Sequence, residues 1–184
     1  MPNREQTPAV RDTPPRVLLA IAVGVGLAAA IVVLVIAYAR SRPEPPGPLT
    51  IPAVSVPQAD TPECQTLMAS LPQRLGDYTR AEIANPVPPG TAAWRPQKGN
   101  EAILLRCGVA RPAESASGTP VHVGNVQWFG VAEQNTGRKT WFVVDRAVYI
   151  ALTLPQGTGA TPIQQISEIV AAKLAAVPVQ TPAP

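Results

Sequence analysis

VLLAIAVGVGLAAAIVVLVIAYA, residues 17–39, is the only long uncharged stretch of this chain, and it decides how everything else is arranged. Arg16 brackets it on one side, Arg40 and Arg42 on the other. As a helix its 23 residues reach about 34 Å, enough to cross a hydrocarbon core of about 30 Å. A cleaved signal peptide has a shorter apolar region, roughly 7–15 residues. Ala37-Tyr38-Ala39 nevertheless has the small-x-small form of a cleavage site and keeps that alternative open. A soluble core helix does not stay apolar on every face over such a length. No Cys follows closely, which excludes lipid modification there. The expectation is an uncleaved signal anchor.

Basic residues give its orientation. Arg4, Arg11 and Arg16 precede the span and Arg40 and Arg42 follow it, a thin majority for a cytoplasmic N-terminus. Cysteine usage adds weight. The chain has only Cys64 and Cys107, both beyond the span, and an even pair in an exported domain suggests a disulfide. The C-terminal domain is therefore expected outside the cytoplasm.

Residues 1–16 combine prolines, mixed charge and almost no large apolar side chains, a composition expected to remain disordered. A second proline-rich segment, residues 40–59, reads as an extended linker able to hold the domain up to about 55 Å from the bilayer. Residues 60–177 then form one domain of ordinary size, and residues 178–184 a frayed tail. The charges of the domain nearly cancel. It has no basic block with interleaved aromatics, which argues against a nucleic-acid surface.

Within the domain, Thr61-Pro62-Glu63 has the form of a helix start, and Cys64, Leu67, Met68 and Leu71 share one face up to Pro72. Asp77–Ala84 reads as a weak strand, and Asn85–Asn100 holds too many Pro and Gly for anything but a loop. Ala102–Val109 alternates strongly: Ile103, Leu105, Cys107 and Val109 face one way, Leu104 and Arg106 the other. Val121–Glu133 reads as a strand whose register Gly124 disturbs. Arg138–Asp145 and Ala147–Leu154 complete the set, with a turn at Gln134–Gly137. Thr161–Gln164 has the form of a capping box. It opens a last helix with a stripe of Ile163, Ile166, Val170, Leu174 and Val177. The fold class expected is α+β: an antiparallel sheet of about four to five strands with two helices on one face, preceded by one transmembrane helix and a Pro-rich linker. Cys64 and Cys107 both lie on apolar faces, so their disulfide would staple helix to sheet from inside.

Catalytic residue types are few. His122 is the only histidine, and no Gly-x-Ser-x-Gly elbow presents a serine; Ser115 and Ser117 lie in a Pro/Gly/Ser loop without fixed geometry. Two cysteines and one histidine do not assemble a zinc site of the usual type, and no phosphate-cradling glycine loop is present, so neither metal nor cofactor is expected. Glu63, Asp77, Glu82, Glu101, Glu133 and Asp145 are scattered, and two of them facing one cleft would be needed for a carboxylate-based hydrolase. Trp94, Arg95 and Lys98 form the segment most like a binding surface, since Trp stacks on a ring and the cations meet an anion. The competing reading folds Trp94 back over the core edge. Trp128 and Trp141 sit in strand patterns and belong to the core or the sheet cover.

Ile103-Leu104-Leu105-Arg106-Cys107-Gly108-Val109, Ala92-Ala93-Trp94, Val126-Gln127-Trp128, Gly137-Arg138 and Leu154-Pro155 together resemble an actinobacterial family of small anchored or exported proteins, domain of unknown function 3515. The resemblance runs from about Cys64 to Leu174. It implies an actinobacterial envelope setting and brings no catalytic residue or ligand. The reading that results is a single-pass, non-enzymatic envelope domain that binds a partner protein. The alternatives are a cell-wall glycan-binding or sensing module and an envelope hydrolase.

Overall fold

A computed structural model describes residues 16–40, 47–97, 99, 101–113, 119–134 and 136–179. Most of both expected tails, linker residues 41–46, Lys98, Ser115 and Ser117 lie outside the described residues. The chain divides into two compact units, Met1–Pro46 and Gly47–Pro184. In the first, α1 (Arg16–Arg40) is one unbroken helix. Its apolar window is not buried against protein anywhere along its length, and it is long and apolar enough to cross a membrane.

The second unit is α+β. It contains α2 (Pro62–Ser70), β1 (Arg74–Leu75), β2 (Tyr78–Arg80), β3 (Thr91–Pro96), β4 (Ile103–Val109), β5 (Val121–Val123), β6 (Val126–Ala132), β7 (Lys139–Val143), β8 (Tyr149–Leu154) and α3 (Thr161–Lys173). The strands form a single antiparallel sheet in the order β1-β2-β3-β4-β8-β7-β6-β5. Eight strands replace the four to five expected. Three readings account for the difference. The weak strand at 77–84 is the second arm of a hairpin whose first arm is β1. The proline-rich stretch 85–100 contains β3, because its run Thr91–Trp94 keeps every backbone N–H between the flanking prolines and pairs with Ile103–Arg106. The long strand at 121–133 is two strands, folded back where Gly124 takes φ +60° and Val123 pairs with Val126.

The alternation in β4 puts Ile103, Leu105 and Cys107 at 0 % exposure in the core, with Arg106 on the opposite face. Cys64 and Leu67 of α2, Trp94, Trp128, Ile150, Leu152, and Ile163, Ile166 and Val170 of α3 complete that core. Thr61 caps α2, its hydroxyl accepting from the Cys64 N–H. At α3 the expected capping box does not form. Ala160 is the N-cap in helical conformation, and Thr161 already belongs to the first turn, so its hydroxyl has no N-cap geometry. The helix ends at Lys173, and Val177 instead donates its N–H to Asp145 O, 2.9 Å away.

Neighbouring residues on α3 reach both ends of the sheet. Gln165 Oε1 accepts from the Gly76 N–H at the β1–β2 turn, 2.8 Å away. Gln164 shares a cavity with Val123 and Asn125 of the β5–β6 hairpin. Seven inter-strand spacings of about 4.8 Å would put these hairpins roughly 34 Å apart in a flat sheet. The sheet therefore curls around α3. Trp128 donates its indole N–H to Ser167 Oγ inside that curl, 2.9 Å away.

Residues 47–59, read from the sequence as linker, form a strap against the domain. Leu49 bridges Ile83, Arg95 Nη1 donates to Gly47 O, and the Gln58 N–H donates to Gly108 O at 3.1 Å. Gly108 lies so close to this strap that a Cβ there would fall 2.3 Å from Gln58 C, and its φ is +82°. Gly108→Ala is expected to lower the thermal midpoint, equivalent to about 1–3 kcal/mol, and to expose residues 47–59 to protease; unchanged melting and cleavage would contradict the packing.

Cys64 and Cys107 form the expected disulfide, with Cα atoms 5.5 Å apart, joining α2 to β4 across 43 residues. In the chain-entropy model a loop of that length is stabilised by about 4 kcal/mol. Denaturation without reductant should reveal no thiol to a colorimetric reagent, and Cys64→Ser/Cys107→Ser should melt well below the parent. Two titratable thiols would overturn the pairing.

Candidate functional site

The β1–β2 hairpin turns at Gly76-Asp77, which leaves Leu75 fully buried, Tyr78 half-buried against the core and Asp77 exposed between them. Across from it, the chain leaving β8 makes a tight turn in which the Thr158 N–H donates to Pro155 O. This brings Thr158 Oγ1 to 3.3 Å from the Tyr78 hydroxyl, and the two share a hydrogen bond. A cavity lies on each side of that bridge. One, of about 410 Å³, extends over Pro96 and Gln97 at the end of β3. The other, of about 310 Å³, extends to Thr161 and Pro162 at the start of α3. Asp77, Tyr78, Thr158 and Gly159 line both, so the two cavities are halves of one groove. Its Gly76 edge is braced by the bond to Gln165.

Of the residues singled out in the sequence, Trp94 and Arg95 do not line this groove, and Lys98 lies outside the described residues. Trp94 is not in a loop. It is 0 % exposed in β3, donates its indole N–H to Pro72 O at 2.9 Å, and carries the Arg80 guanidinium over its ring at 4.9 Å. Burial lowers the Arg80 pKa from the ordinary guanidinium value. Trp94 thus presents no face to a ligand, and the fold-back over the core is what occurs. Arg95 is half-buried on the opposite face of the sheet, holding the strap. Tyr78 and Thr158 were missed because Tyr78 sits in a three-residue strand with little periodicity. The available signal was the run Gln156-Gly157-Thr158-Gly159 between a strand and a helix.

Elsewhere, a cavity of about 340 Å³ lies between α3 and the β5–β6 hairpin, with Glu168 as its carboxylate. A third site, of about 210 Å³, lies under the strap beside Arg138, with Glu101 as its carboxylate. Among the described lining residues, each of these cavities, like the groove, has one acid rather than a facing pair. His122 is exposed on edge strand β5, and among the described residues no cluster of three His, Cys, Asp or Glu side chains is placed to hold a metal. Under the strap, Arg106 donates to Pro52 O. Its pKa is lowered first by burial and then by Arg138, with Glu133 opposing.

Asp145 and Arg146, by contrast, are buried for structural reasons. Arg146 Nη1 lies 2.9 Å from Asp145 Oδ1, Arg146 Nη2 donates to Asn125 O, and Asp145 Oδ2 accepts from the Gln127 N–H. The pair ties the β7–β8 connection to the β5–β6 turn. Asp145→Ala strands the Arg146 charge and is expected to cost about 3–5 kcal/mol in a denaturant titration. Asp145→Ala combined with Arg146→Met should recover much of that loss, and a double variant no better than the single one would refute the pairing.

With this geometry in view, the family model described as "Protein of unknown function (DUF3515)" matches residues 23–179, and the chain belongs to that family. No curated protein and no solved structure shows significant similarity to it.

Proposed function

We propose that this protein is a single-pass, membrane-anchored domain on the extracytoplasmic face of an actinobacterial envelope, where it binds an envelope component without turning it over. Residues 1–16 form the cytoplasmic tail, 17–39 the anchor, and the domain beyond them the binding module. The observation that carries this is the Cys64–Cys107 disulfide inside a domain that follows an apolar helix unburied by protein. Disulfides persist in oxidising compartments, and large apolar side chains left uncovered along residues 19–36 suit lipid rather than water. Binding is favoured over catalysis because the groove across Tyr78 offers hydrogen-bonding groups and, among the described residues, one acid, Asp77.

Two measurements in intact cells test this. Alkaline phosphatase fused after residue 179 should be active and a fluorescent protein fused there dark; the reverse pattern would defeat the location. A photo-crosslinker replacing Gln97, on the groove rim, should give an adduct that a probe at exposed Lys173 does not. Equal labelling at both positions, or none, would defeat the binding reading.

A further inference from the structure

We propose that the groove across Tyr78 takes a neutral, hydroxyl-rich oligosaccharide, with one sugar unit on each side of the Tyr78–Thr158 bridge. This rests on the binding reading above and names the ligand chemistry of the same site. The charges come first. Among the described residues Asp77 is the one ionisable carboxylate on the groove, and no described Lys, Arg or His lines either half. An anionic ligand would meet the like charge of the exposed Asp77 carboxylate.

The remaining polar groups both donate and accept. They are the hydroxyls of Tyr78, Thr158 and Thr161 and the amide of Gln97. Sugar hydroxyls have the same dual character, and a carboxylate accepts strongly from two of them at once. A cationic ligand would use only the acceptors and leave the donors unmatched. The apolar surfaces are the Tyr78 ring, an aromatic face suited to the C–H side of a pyranose, and the saturated rings of Pro96 and Pro162. Two compartments sharing one waist fit a chain of units rather than a single compact molecule.

Glycine keeps the groove open. A Cβ built at Gly157 or Gly159 meets no protein atom within 4 Å, so each position faces free space. Gly159 has no positive φ, and a larger side chain there would fill the groove without disturbing the packing beneath.

The test uses the full chain in lipid nanodiscs free of carbohydrate, with saturation-transfer NMR on chitotetraose, cellotetraose, a galactan and an arabinan tetramer, and a hexuronate tetramer as the charged counterpart. Transfer is expected to at least one neutral oligosaccharide and not to the hexuronate. Asp77→Asn and Gly159→Leu should each weaken binding by about tenfold or more, with melting curves unchanged. Absence of transfer to every neutral oligosaccharide, preference for the hexuronate, or full binding by both variants would overturn the proposal. A Gln97 adduct in cells that is protein alone would likewise overturn the sugar chemistry while leaving the binding reading intact. Neutral-sugar binding together with cytoplasmic fusions would do the opposite, sustaining the ligand and defeating the location.

Discussion

The curl of the sheet around α3 is the constraint on which the rest of the domain depends. β1 and β5 are the free edges of an eight-stranded sheet, and side chains next to each other on one helix face both ends. The apolar stripe Ile163, Ile166 and Val170 fills the interior of the curl, and the Trp128–Ser167 bond orients the helix within it. Without α2 and α3 the inner face of the sheet would present core side chains such as Trp128, Ile150 and Leu152 to water. The groove across Tyr78 is a by-product of this geometry. It lies where the β1–β2 turn, the end of β3 and the approach to α3 are drawn together, three segments far apart in sequence.

Two fastenings act from the other direction. The disulfide holds α2 to β4 on the inner face, and the strap crosses the outer face, held there by Arg95 and Arg106. β4 is therefore gripped on both sides, at Cys107 from within and at Gly108 from without. That explains a glycine near the end of the central strand β4. The strap approaches too closely for any side chain, and the ladder shifts register between Cys107 and Val109 to accommodate it.

Where a segment buries one clean face, the sequence was legible. The alternation of β4 and the 3.6-residue stripe of α3 through Val170 follow from local periodicity, and the pairing of Cys64 with Cys107 from their being the chain's two cysteines, both beyond the apolar span. Composition misled where a strand is short or lies between prolines. β3 reads as loop because Pro89, Gly90 and Pro96 border it, yet its ladder comes from partners on both sides rather than from its own propensity. Gly124-Asn125 was visible as a turn pair but was read as a disturbance in one strand. The groove was the least legible feature. Its residues come from elements that only tertiary curvature unites, and the residue that looked most like a binding aromatic, Trp94, is held in the core by Pro72 and Arg80.

The order of these parts along the chain has a bearing on biogenesis. α3 follows all eight strands, so a chain emerging N-terminus first has its sheet before it has the helix that fills the sheet. Until residues 161–173 arrive, both edges and the concave face are open to neighbouring chains. Completion of the core thus waits for the last helix rather than for the first strands, because Ile163, Ile166 and Val170 supply part of it.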